Sequence, residues 1–248
     1  MVKDKENWFE EWFDSDHYHL LYKHRDFSEA ELFITNLFEH LNLESTTKVL
    51  DLACGKGRHA LQVHQLGYSV LGVDLSEESI QHANKYAKKD LSFLRADMRE
   101  LGMDQEVDIV LNLFTSFGYF QKEGDNLKVL ESVSKALMSN GIMVLDYLNV
   151  RKVKLQLPQN EQIVRGNIQF HIKKSLEEKF IVKHINFEDQ NGSHHYQEFV
   201  KCIDLPLFKD YFNSAGMEVI ETFGNYHLAP FEEESSDRLI LIVKKNSN

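Results

Sequence analysis

Three carboxylates and one glycine turn fall at spacings that could hold a nucleotide-like ligand. Asp51 stands four residues before Gly55 in Val49-Leu-Asp-Leu-Ala-Cys-Gly-Lys-Gly57, and Asp74 follows Gly55 by nineteen residues. Asp97 closes the run Leu94-Arg-Ala-Asp97. An apolar run, a glycine turn, a helix and a second apolar run ending in an acid describe a nucleotide site at the first switch point of a doubly wound α/β sheet. The acid of the second strand can accept hydrogen bonds from both ribose hydroxyls, each charge-assisted bond contributing roughly 1.5–3 kcal/mol. A dinucleotide turn also needs a third glycine for close packing of helix on strand. Here Gly55-Lys-Gly57-Arg-His-Ala60 lacks it. Asp51 would moreover repel a pyrophosphate, whereas beside an ammonium group it is favourable.

These residues need elements to position them. From Lys48 onward the sequence predicts strands over 49–52, 69–73, 91–94, 107–113 and 142–147. A helix over 58–66 stops at Gly67, a left-handed C′ position. Ser76 caps the next helix, with Glu77 and Glu78 in the dipole-favoured first turn. Leu127, Leu130, Val133 and Leu137 predict a third that ends near Gly141. Repeated β-α-β order implies a parallel sheet with right-handed crossovers. Upstream, Trp8/Trp12 and Phe9/Phe13 form i,i+4 pairs within a helical stretch over 7–43. Ser28 and Glu31 form a capping box, after which Leu32, Phe33, Leu37, Phe38 and Leu41 face inward. This aromatic-rich start either docks on the core or covers a pocket, and a helix can do both.

After residue 150 the pattern changes to alternation, as in Ile168/Phe170/Ile172 and Ile181/Lys183/Ile185/Phe187, with a hairpin signal at Asn191-Gly192. A three-stranded antiparallel insert is expected there. Pro206 then opens a helix through Phe212 that ends at Gly216, and strands over 217–223 and 239–244 close the chain. The expected organisation is a helical lid over 1–45, a core over 46–150 and 205–248, and a β insert over 151–204.

The Asp51-x-x-x-Gly55-x-Gly57 turn resembles motif I of class I S-adenosylmethionine-dependent methyltransferases. The runs Leu50-Asp-Leu-Ala-Cys-Gly-Lys-Gly-Arg-His59, Phe114-Thr-Ser-Phe-Gly-Tyr-Phe120, Asp146-Tyr-Leu-Asn149, Gly224-Asn-Tyr-His-Leu-Ala-Pro-Phe231 and Ser236-Asp-Arg238 are similar to a bacterial small-molecule-type group of that family. The resemblance implies an α/β fold with a doubly wound, mostly parallel seven-stranded sheet whose last strand is antiparallel, N-terminal helices and a small antiparallel β insert. It implies S-adenosyl-L-methionine as cofactor, with Asp51 near its ammonium and Ala53, Gly55 and Gly57 shaping the turn. Asp74 would then take the ribose and Asp97 the adenine amino group, with Met98 and Leu75 against the ring. Asn112, Leu113 and Phe114 would pass under the sulfonium. Tyr18, Tyr22 and Arg25 would close over the cofactor, Arg25 suiting the methionine carboxylate.

What is missing narrows the acceptor. Exocyclic-amine methylation of nucleic acids uses an Asp/Asn-Pro-Pro-aromatic loop, but Asn112 is followed by Leu-Phe-Thr, and the prolines are Pro158, Pro206 and Pro230. Pyrimidine C5 methylation needs a cysteine nucleophile over the substrate, whereas Cys54 lies in the glycine turn and Cys202 near the end of the insert. A net charge of −11 leaves no basic footprint for a nucleic-acid backbone. No metal is expected: Asp146 with Asn149 is an incomplete ligand set, and His194 and His195 point to opposite faces of a strand. The expected acceptor is a small molecule methylated on N, O or S. The candidate pocket residues are Phe117, Tyr119, Asp146, Tyr147 and Asn149, with His227 and Arg238 from the closing segment. Asp146, Tyr147 and Asn149 are the catalytic candidates, Asp146 being either the acid of the pocket or a structural acceptor. A neutral amine or ionised thiol needs no dedicated base. Two other classes stay open: transfer of a different group from the same cofactor, and cofactor sensing without turnover.

The absence of a long apolar run argues against a membrane span. The charged start, Met-Val-Lys-Asp-Lys-Glu, lacks the core of a signal peptide, and two cysteines make no disulfide framework. A cytoplasmic protein is the expectation; no feature speaks to oligomeric state.

Overall fold

The computed structural model describes residues 8–23 and 27–246. Two short helices open it, α1 (Trp8–Phe13) and α2 (Asp16–Leu21), followed by the longer α3 (Phe27–Leu41). Then come β1 (Lys48–Leu52), α4 (Arg58–Gln65), β2 (Ser69–Asp74), α5 (Glu77–Ala83), β3 (Leu91–Arg95), β4 (Val107–Asn112), α6 (Glu123–Ala136) and β5 (Leu137–Leu148). After α7 (Val150–Leu155) the insert comprises β6 (Gln159–Arg165), β7 (Ile168–Glu177), β8 (Phe180–Asp189) and β9 (Gly192–Lys201). The chain closes with α8 (Leu205–Ser214), β10 (Met217–Phe223) and β11 (Arg238–Lys245).

The large sheet has the order β10-β11-β5-β4-β1-β2-β3, and β11 runs antiparallel to both of its neighbours. The near-continuous apolar runs of β1, β4 and β5 are those of strands buried on both faces. One face is covered by α6 and α8, whose Val129, Leu130, Val133, Phe208 and Phe212 join the same cluster as Leu50 and Leu145. The other is covered by α3 and α4, through Phe33, Leu37, Ala60 and Val63. Strand order reverses at β1, which pairs with β2 on one side and β4 on the other. Ligands of such sheets sit in the crevice at the carboxyl ends of these strands.

Four local expectations are corrected. First, α6 ends at Ala136, because Leu137 pairs with Val107 and β5 begins at once; Gly141 lies inside β5, at a shift of register. Second, the insert has four strands, since the polar run Gln159-Asn-Glu-Gln forms β6 on the edge of that sheet. Third, its last hairpin turns through Gln190 and Asn191, with Gly192 already paired to Asp189. Fourth, the helical start is three helices: α3 belongs to the core beneath the sheet, and only α1 and α2 lie over the insert. Leu32 points outward at 40% exposure. The Ser28 side chain lies outside the described set. Trp12 and Leu21 pack with Phe170, Ile172, Ile185 and Phe187 of the insert, so α1 and α2 are seated on its inner face.

Candidate active site

The turn after β1 is built on left-handed backbone. Ala53, Gly55 and Gly57 have φ of 60°, 54° and 85°. A side chain at Gly57 would also stand 2.8 Å from the Phe93 ring, so glycine is required there on two counts. The space beside the Gly55 Cα is open to 4 Å. The turn is tied down by the Cys54 N–H to Val73 O and the Gly57 N–H to Cys54 O, both 3.0 Å.

Two acids brace this turn. The Asp74 carboxylate, at the end of β2, accepts from the Gly55 N–H at 2.8 Å and the Ser76 N–H at 2.9 Å. Burial raises its pKa, against those two bonds. Asp51 is 1% exposed and accepts from the Ala60 N–H in the first turn of α4 at 3.0 Å. Burial pushes its carboxyl up to about 7, helped by the nearby Asp74 and opposed by the Ala60 N–H and Arg58. A buried carboxyl in this condition favours a cation beside it. Asp97 follows β3 and is gripped by Arg99, with Nε at 3.1 Å from both oxygens and Nη2 at 2.6 Å from Oδ2. Burial pushes its carboxyl up, and the Arg99 side chain and N–H outweigh that, holding it below the usual carboxylate range.

These residues surround one cavity of about 300 Å³, large enough for a small organic ligand. Its lining includes Asp51, Ala53, Gly55, Asp74, Leu75, Asp97, Met98, Leu113 and Phe114, and from the N-terminal helices Phe9, Phe13, Tyr18, His19 and Tyr22. Gly57 and Asn112 lie behind this wall. Gly57 is the N-cap residue before α4, and the Asn112 amide donates to Leu52 O at 3.1 Å, joining β4 to β1 with no exposed surface. Arg25 lies outside the described residues. His19, Ser116 and Phe120 also line the cavity without having been singled out. His19 shares α2 with Tyr18, and Tyr22 caps that helix, but no spacing distinguishes His19 from the other histidines. Burial lowers its pKa, and its Nε2 lies 3.8 Å from Glu78 without a hydrogen bond.

None of the three catalytic candidates lines a cavity. Asp146 has no exposed surface, and its carboxylate accepts from Arg238 Nε at 2.7 Å, the Phe114 N–H at 2.8 Å and Tyr226 OH at 3.0 Å. It therefore anchors the loop after β4 to the closing strand. Tyr147 is fully buried and donates to Lys201 O at 2.6 Å. Asn149 caps α7 through its oxygen, and its amide donates to Glu233 O and Ser236 O. Asp146 and Tyr147 are buried because β5 is an interior strand covered on both faces, and Asn149 is buried as the cap of α7. Phe117 is also buried, at 1%.

A second cavity of about 1190 Å³ adjoins the first. Phe13, Tyr18, Tyr22, Phe114 and Tyr119 belong to the walls of both. Trp8, Glu29, Lys183, Glu198, Tyr226, His227, Asp237 and Arg238 complete part of its lining. Tyr22 OH and Trp12 Nε1 both donate to Glu198, at 2.7 and 2.8 Å, which fixes the N-terminal helices against the insert.

A methyltransferase-domain family matches residues 43–201 of the chain. The glycine/sarcosine N-methyltransferase of Aphanothece halophytica is 26% identical over 97% of this chain and 89% of its own length. YqeM of Bacillus subtilis is 31% identical over 48% of this chain, and the match spans about half of that protein, 49%. The structure of CalS10, an amino pentose methyltransferase from Micromonospora echinaspora with S-adenosylmethionine bound, superposes with a TM-score of 0.70 at 15% identity, covering 93% of this chain and 97% of that one. A glycine turn flanked by acids at successive strand ends, on a sheet of this order, thus accompanies the family match: the chain belongs to the class I S-adenosylmethionine-dependent methyltransferases.

Proposed function

We propose that the protein methylates the nitrogen of a small amine held in the larger cavity. The carrying observation is the shared wall formed by Phe13, Tyr18, Tyr22, Phe114 and Tyr119, where the two cavities meet. Methyl transfer from a sulfonium is an in-line displacement, so donor and acceptor must face each other across one boundary. The bound cofactor supplies an electrophilic methyl group. The open face of Gly55 and the desolvated Asp51 carboxyl suit its amino-acid end, and Asp74 suits its ribose. The second cavity carries Glu29, Glu198 and Asp237 beside Lys174, Lys183 and Arg238, so it is its aromatic faces that suit a cationic or amine-bearing molecule. Two of the relatives above are named for amine acceptors, glycine or sarcosine in one and an amino pentose in the other. The N-terminal helices act as a lid whose rings exclude water from the boundary, and Asp97 with Met98 and Leu75 holds the base.

The test is transfer from methyl-labelled S-adenosylmethionine to pools of small primary and secondary amines, phenols, thiols and oligonucleotides. Label is expected in an amine pool. Label confined to oligonucleotide, phenol or thiol pools would overturn the amine assignment.

A further inference from the structure

The lid and the insert also meet at a cluster that lines neither cavity. His17 of α2 places Nε2 3.0 Å from Asp189 Oδ2, and His194 of β9 places Nε2 2.8 Å from Asp189 Oδ1. The three side chains can present one ligand atom each, all within 4.8 Å of one another. They are 21%, 11% and 24% exposed, so the cluster is mostly shielded yet reachable. The Asp189 carboxylate is oriented by the Asn191 N–H at 2.8 Å. Both imidazoles pack on Phe187, at 4.5 and 4.8 Å between ring centres, which gives the cluster one apolar wall.

We infer that His17, Asp189 and His194 form a structural site for a divalent transition metal of the zinc type. Two imidazole nitrogens and one carboxylate are a borderline-soft donor set that suits Zn²⁺, whereas Ca²⁺ and Mg²⁺ require more oxygen ligands. A tetrahedron with bonds of about 2.0–2.1 Å sets its ligand atoms roughly 3.3 Å apart. The 2.8 and 3.0 Å contacts run to different oxygens of Asp189, so side-chain rotation must draw both imidazoles and one carboxylate oxygen to that spacing from the 4.8 Å within which the three ligand atoms already lie. Each imidazole would coordinate through the Nε2 lone pair with its proton on Nδ1, and water would take the fourth position. His195, on the opposite face of β9, pairs with Asn186 and takes no part. His17 and Asp189 are separated by 172 residues, so one ion would clip α2 to the β8–β9 hairpin. That helix carries Tyr18 and His19 of the cavity wall and is followed directly by Tyr22. The effect on cofactor binding rests on the function proposed above, while metal binding itself does not.

The experiment uses tag-free, chelator-treated full-length protein titrated with Zn²⁺ by calorimetry and with Co²⁺ by visible absorption. One equivalent is expected to bind at micromolar Kd or tighter, with the absorption of low-coordinate Co²⁺. At a hundredfold excess over Kd the thermal midpoint is expected to rise by roughly 5–10 °C. H17Q and H194Q should each weaken Zn²⁺ at least tenfold, and H195Q should leave it unchanged. Absence of saturable wild-type binding below 100 Kd-equivalents of a micromolar site (about 0.1 mM by that definition), or binding that survives H17Q/H194Q, would overturn the site. If the double variant does not fold, the wild-type stoichiometry and Co²⁺ spectrum decide alone. S-adenosylmethionine is titrated separately, so loss of cofactor binding with metal binding intact would fault the cofactor reading only.

Discussion

Replacing Asp74 with alanine isolates the residue that most directly ties this site to a ribose. A carboxylate has about four lone-pair sites. In the structure the Gly55 and Ser76 N–H groups take two of them. The remaining two are available to vicinal hydroxyls. At roughly 1.5–3 kcal/mol for each bond to a charged acceptor, losing both costs about 3–6 kcal/mol. With about 1.4 kcal/mol per tenfold, S-adenosylmethionine and S-adenosylhomocysteine should bind at least about 100-fold more weakly. The two freed N–H groups face a cavity and can be hydrated, so folding stability should fall far less than binding. Calorimetry with each ligand, alongside a thermal melt, measures both effects. A ligand–residue cycle then separates direct contact from turn distortion: the 2′-deoxy analogue should bind poorly to the wild type, with little further loss in Asp74→Ala. Wild-type affinity retained within threefold in a folded Asp74→Ala protein would refute the ribose assignment. Equal and additive losses in the cycle would refute direct contact.

Four further outcomes are expected. The Asp51 carboxyl lies near 7 in the folded protein, against 3.8 unfolded. Its contribution to stability is therefore fully present below pH 3.8 and is lost as pH rises through 7, a swing of about 4 kcal/mol for this nearly inaccessible group. Asp51→Asn should raise the melting temperature at pH 8, and a cofactor-free melt unchanged by it would contradict the reading. An ammonium bound beside Asp51 should release a proton near pH 7, visible as a buffer-dependent binding enthalpy that Asp51→Asn removes. Gly57→Ala places a Cβ at a φ of 85° and 2.8 Å from Phe93; it should cost at least about 1–2 kcal/mol from the left-handed backbone alone, read as a lower denaturant midpoint. Asp146→Ala removes the acceptor of Arg238, Tyr226 and the Phe114 N–H, and should destabilise by about 3–5 kcal/mol. A variant that melts normally but has lost turnover would return Asp146 to the chemistry.

Much of the cavity wall was legible in the chain because its residues are local to strand ends. Alternation of apolar runs with capped helices places each strand end on one edge of a parallel sheet, so Asp51, Asp74 and Asp97 were located by counting. The acceptor side was not legible in that way. Asp146 lies on β5, two strands beyond the one that Asp97 follows, and its sequence context leaves it as either the acid of the pocket or a structural acceptor. Its partners, Arg238 and Tyr226, come from 92 and 80 residues away and turn the carboxylate into an internal brace. The fourth insert strand was hidden because an edge strand can be polar on both faces, as Gln159-Asn-Glu-Gln is. His17 and His194 carried no joint signal, since their meeting depends on how α2 docks on the hairpin.

By itself the sequence determined the β-α-β core, the glycine turn after β1 and the acids around it. These follow from periodicity, caps and steric limits that act within about 50 residues. The tertiary structure decided which of the polar residues beyond β4 face a cavity and which are consumed inside, how the N-terminal helices meet the insert, and where two cavities share a wall. Those outcomes depend on long-range packing, where a buried acid is defined by the partners that reach it and not by its place in the chain.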